Sequence, residues 1–161
     1  MTPQAPFMVA APIRPTQESA LSVVLQGMNS APGRADPGNA VLAFGHYDRL
    51  HVARFVILRD ETLDDLAAYG ASFPDAPTWL VFLGDCDGSA DAMLQQFVAT
   101  AEPGLRSIFA HCDPPPGSDL LDWMRLHSVQ PAAQYVNWVG RTVQQIHEEA
   151  ALRDFLRDRL A

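Results

Sequence analysis

Residues 52–58, Val-Ala-Arg-Phe-Val-Ile-Leu, are rich in β-branched residues and apolar on both faces of the strand they predict. Val52, Arg54, Val56 and Leu58 face one way, and Ala53, Phe55 and Ile57 the other. Residues 78–83, Thr-Trp-Leu-Val-Phe-Leu, repeat that character. Such strands belong inside a sheet, with one face on helices and the other against a partner or ligand.

Around them the chain alternates. Residues 7–13 predict a first strand, ended by Arg14-Pro15. Thr16 stands where a helix N-cap is expected, with Glu18 in the first turn. Ala20, Leu21, Val24, Leu25 and Met28 recur on one helical face. Residues 29–39 carry Pro32, Gly33, Pro37 and Gly38 and read as loop, and residues 62–68 as a short helix. Residues 84–88, Gly-Asp-Cys-Asp-Gly, read as a sharp turn after the third strand. Ser89 then caps a helix bearing Ala90, Met93, Leu94, Phe97, Val98 and Ala101, which Pro103-Gly104 ends. Residues 106–111 offer a fourth strand. The order β-α-β-β-α-β is that of a ferredoxin-like split βαβ sheet, and the expected strand order is 4-1-3-2. The tail is helical, with Ser118 and Thr142 opening two helices and Glu149–Arg153 forming an i, i+4 pair. Residues 135–139 suit either helix or strand.

At 161 residues the chain is long enough for one α+β domain, residues 1–161, in which 118–161 form a helical extension or lid. Nineteen acidic residues face eleven arginines and no lysine, giving a formal charge of -8. That surface repels nucleic acid and anionic lipid. No run approaches the ~18 apolar residues of a membrane span, and the first residues lack a secretory signal, so the expected location is cytoplasmic. Cys86 and Cys112 are too few for a disulfide scaffold and read as free packing thiols, with a bridge or a reactive role the lesser alternative.

No nucleophile elbow, dinucleotide fingerprint or P-loop occurs. The chemistry gathers instead before the second strand. His46, Tyr47, Asp48 and His51 precede it and Arg54 lies within it. Histidine beside carboxylate suits proton transfer or an axial cofactor ligand. Arg54 suits a carboxylate or a cofactor propionate; the plainer alternative pairs it with a carboxylate at the core edge. The spacing completes no metal-ligand pattern. Asp85 and Asp87 fit a turn better than a metal site. His51 and Arg54 share a face only if His51 belongs to the entering loop or a bulge resets the alternation.

Three stretches, residues 51–58, 80–88 and 135–153, resemble a family of uncharacterised bacterial proteins with a His-Phe-Ala-Arg-Phe strand. Here Val52 replaces that aromatic, and Cys86 stands where the family's turn carries tyrosine. The resemblance implies weight on His51, Arg54 and Asp87. At the level of fold alone the chain is similar to dimeric α+β barrels, which include haem proteins and small monooxygenases.

Two functions suit these residues. One is an accessory or binding protein whose apolar sheet face takes a partner subunit, a second copy of the chain or a small apolar ligand. The other is a haem-type oxidoreductase or small monooxygenase, with His46, His51 and Arg54 holding the cofactor and His51 and Arg54 acting in catalysis.

Overall fold

The structure is a computed structural model, and it describes residues 3–60, 62–70, 77–136 and 139–160. In chain order the elements are β1 (Gln4–Pro12), α1 (Glu18–Gln26), β2 (Asn29–Ala31), β3 (Arg34–Ala35), β4 (Leu50–Leu58), α2 (Thr62–Ala68), β5 (Trp79–Asp87), α3 (Ala90–Phe109), α4 (Leu120–Leu126) and α5 (Val143–Leu160). The architecture is α+β. A three-stranded antiparallel sheet has the order β1-β5-β4, so of the two strands expected inside the sheet β5 is central, while β4 pairs with β5 alone among the described residues and is an edge strand.

Alternation sorts the side chains. Phe7, Val9 and Ala11 of β1, Leu80, Phe82 and Cys86 of β5, and Ala53, Phe55 and Ile57 of β4 join one core, which α1, α3 and α4 complete with Leu21, Phe97, Phe109 and Trp123. Phe55 stacks on Phe82 at 4.3 Å, and Phe7 meets Phe82 at 5.1 Å. Gly84 is required there, because a Cβ at that position would run into the Val52 carbonyl and the Phe7 ring. On the opposite face Val52, Leu58 and Trp79 are exposed.

Two expected elements differ. Residues 106–111 are not a strand: 106–109 end α3 and 110–112 form a 3-10 turn that follows it, and Leu105, Ile108, Phe109 and Cys112 are buried at the i, i+3, i+4, i+7 spacing of a helix. Pro103 does not stop α3 because the helix kinks at Ala101, whose φ of -138° is non-helical, and restarts with Pro103 in its first turn. There a proline lacks only an N–H that has no helical acceptor. The expected βαββαβ order therefore lacks its fourth strand among the described residues. Residues 127–129 hold that edge instead: Ala10 N–H donates to the His127 carbonyl (3.0 Å) and Val129 N–H to the Met8 carbonyl (2.9 Å), around a bridge at Ser128. Residues 29–39, read as loop, contain the small β2–β3 hairpin.

The caps shift by a residue or so. Thr16 takes a left-handed φ of 68° and leaves Gln17 to open α1. Asp119 rather than Ser118 caps α4, accepting from Asp122 N–H at 2.9 Å. Ser89 caps α3, and Thr142 and Gln145 exchange two hydrogen bonds in a capping box at the start of α5. No helix among the described residues is long and apolar enough to cross a membrane.

Candidate functional site

The alternation of β4 is interrupted where it matters. Leu50 pairs with Cys86 and Val52 with Asp85, so two residues of β4 advance against one of β5 and His51 is the bulged residue. Without the bulge His51 would follow Ala53 and Phe55 into the core. With it, the imidazole reaches the face opposite the core helices, the face that also carries Val52 and Arg54.

There His51 meets the end of β5. Asp85, Cys86 and Asp87 are not a turn but the last strand residues, and the chain turns after them at Gly88, whose φ is 91°. Asp87 is 4% exposed. Its Oδ1 lies 2.9 Å from His51 Nε2, and its Oδ2 accepts from the Val143 backbone N–H at 2.7 Å. A buried carboxylate is stable only when its oxygens are satisfied; here one is held by the first turn of α5 and the other by the imidazole. The positive end of α5 favours the same charge.

The pairing assigns the protons of His51. A carboxylate facing Nε2 places the hydrogen there, leaving the lone pair on Nδ1. Gln4 approaches from β1, where it is the register partner of Asp87. Its amide nitrogen lies 3.1 Å from His51 Nε2 and donates to the Arg141 carbonyl at 3.0 Å. Nε2 cannot donate to Asp87 and accept from Gln4 at once, and the charged acceptor is the stronger partner. Nδ1 has no hydrogen-bond partner among the described residues. His51 lines a cleft of about 450 Å³ together with Gln4, Val52, Asp85, Val136 and Ile146.

The other expected residues separate. Arg54 is opposite Leu83 and diagonal to Asp85, exposed, with no hydrogen bond or ion pair among the described residues; the core-edge carboxylate expected for it is not there. It shares the face of His51 but does not line the cleft. His46 does not join them. It sits in a one-turn 3-10 helix on the α3 side of the sheet, lining a separate cavity of about 500 Å³ with Thr100 and Gly104. A haem centre built from His46, His51 and Arg54 together does not fit this placement. No group of three His, Cys, Asp or Glu residues suited to a metal ion occurs among the described residues.

The remaining candidates have structural work. His127 stacks on Trp123 at 4.1 Å and its Nδ1 donates to the Trp123 carbonyl. His111 bonds Gln17, and burial, with the Arg14 guanidinium adding to it, holds its pKa below the usual imidazole value. Both cysteines are free and buried. Cys86 lies beside Ala5 and Cys112 beside Ala11, roughly 20 Å apart along β1, so no bridge joins them. Burial pushes each thiol up to about 11. Glu149 pairs with Arg141 rather than with Arg153. Of residues 135–139, 135, 136 and 139 are neither helix nor strand, and 137 and 138 lie outside the described residues.

What the residue pattern left out was the partner of His51. Asp87 reads as a turn residue because it stands with Asp85 between Gly84 and Gly88; the partner that holds its second oxygen is on α5, 56 residues later in the chain. No family model, curated protein or solved structure matches the chain.

Proposed function

We propose that the chain binds a small, largely apolar molecule in the cleft between β4 and α5, and that His51 accepts a proton from it. The observation that carries this reading is the His51–Asp87 pair. Anchoring α5 needs only the Asp87 oxygen that takes the Val143 N–H. A bulge that swings a histidine out of the core, ties its Nε2 to a buried carboxylate and leaves Nδ1 with a free lone pair is what a general base requires. Val52 and Ile146 supply apolar contact, and the sheet face beyond them continues it. The ligand class that fits is an apolar body with one weakly acidic O–H or C–H. The oxidoreductase alternative shares His51 and draws no support from His46.

The test uses p-nitrophenol, whose absorption reports loss of its proton. Wild type is expected to bind it and raise the phenolate fraction. His51→Gln should bind without the absorption change. Absence of binding up to the millimolar range, or an unchanged spectral response in His51→Gln, overturns the reading.

A further inference from the structure

The helix α5 is 18 residues long, about 27 Å, yet Val143 is its only buried residue. At 100° per residue, Val143 and Ala150 lie within about 20° of one another on the side that meets the body. Leu152 falls about 180° from Val143. Phe155 and Leu156 flank it at about 60° and 40°, with Leu160 about 80° round, so Leu152, Phe155 and Leu156 point away from the chain's own core. They are 58%, 52%, 46% and 85% exposed at Leu152, Phe155, Leu156 and Leu160. Folding back cannot cover them without releasing Val143 from Asp87. A helix carrying four such residues into water needs another surface.

The charges on that stripe indicate which surface. Glu149, Leu152, Leu156 and Arg159 follow 3-4-3 spacing, the a/d seam of a short coiled coil. Its first position is acidic and its last basic. Placed antiparallel about a two-fold axis at residue 154, Leu152 of one copy faces Leu156 of the other, and Glu149, which also pairs with Arg141 of its own chain, faces Arg159. The seam is complementary to itself, which is the condition for an isologous contact. A parallel arrangement would instead set Glu149 against Glu149 and Arg159 against Arg159.

We infer that α5 is a self-association surface, and that two copies of this chain pair through antiparallel α5 helices centred on Leu152 and Leu156. Leu152 lies on the side of α5 opposite Val143, while Glu149 stands nearer the cleft through its pair with Arg141, which lines it. Its area is at the small end of specific interfaces, so a weak, micromolar dimer is expected.

Sedimentation of the full chain between about 1 and 300 µM tests it across that affinity range. Wild type should move from 17.6 kDa toward twice that mass. Leu156→Glu should remain monomeric with an unchanged circular dichroism spectrum, because the residue is exposed. Arg159→Glu should weaken the dimer about tenfold or more, and Arg159→Lys, which keeps the charge, should retain it. A wild type that stays monomeric throughout overturns the inference. So does a dimer that survives Leu156→Glu but is lost with Leu58→Glu on the open sheet face, and so does an association left unchanged by Arg159→Glu.

Discussion

Replacing Asp87 by alanine tests how the site is held together. The carboxylate is buried and accepts two hydrogen bonds, one from the Val143 backbone and one from His51. Removing it leaves the Val143 N–H without its acceptor at a buried position. An unsatisfied buried donor of this kind costs about 1–3 kcal/mol. The loss of a negative charge at the positive end of α5 adds about 0.3–1 kcal/mol. His51 is less enclosed, and water in the cleft replaces part of its bond. The expected destabilisation is therefore about 2–4 kcal/mol. Asp87→Asn keeps the shape and one acceptor oxygen, so about 1–2 kcal/mol is expected.

Denaturant melts at neutral pH give these numbers, and hydrogen exchange shows where they act. In Asp87→Ala the amides of the first two turns of α5 should lose protection while those of β5 and α3 keep theirs. A double-mutant cycle with His51→Ala should show coupling of about 0.5–3 kcal/mol, since the two side chains are in contact. A loss below about 0.5 kcal/mol, within the range of ordinary surface substitutions, combined with unchanged exchange in α5, would refute the claim that Asp87 is the anchor of the helix and the partner of the histidine.

Two further outcomes follow from the titrating groups. Cys86 and Cys112, with thiols pushed up to about 11 by burial, should resist alkylation at pH 8 in the folded chain and react together once denaturant unfolds it; fast native labelling of either contradicts its placement. The lowered pKa of His111 means the unfolded chain takes up that proton first as pH falls, so stability should decline below about pH 6.5 toward the folded value. His111→Gln should flatten that decline, and an unchanged pH dependence of the melt would remove the argument.

Much of the sheet was legible because alternation is a local signal. Residues 52–58 and 78–83 carry it over several positions, and their antiparallel pairing follows from it. The expected fourth strand fails because residues 106–111 are too few to separate period 2 from period 3.6, and because Pro103 reads as a helix stop where the helix in fact kinks. The kink at Ala101 turns Pro103 from an interior proline into a first-turn one, and no residue at 101 announces it.

The site divides along the same line. His51 and Arg54 could be singled out by type and proximity, but whether they share a face depended on one residue of register, and a bulge is a property of the pair of strands rather than of either sequence. The resemblance placed weight on Asp87 without giving it a partner. Its role required α5 to arrive from the far end of the chain and offer the Val143 N–H. In α5 itself the two-sidedness hid the signal: Val143 and Ala150 lie on one face and Leu152, Phe155 and Leu156 on the other, so apolar residues ring the helix and no single amphipathic face stands out. Only with Val143 docked against Asp87 does the second stripe become surplus to the chain's own core. The histidine and the exposed stripe thus depend on one contact, with Asp87 fixing both the orientation of the imidazole and the direction in which α5 presents its leucines.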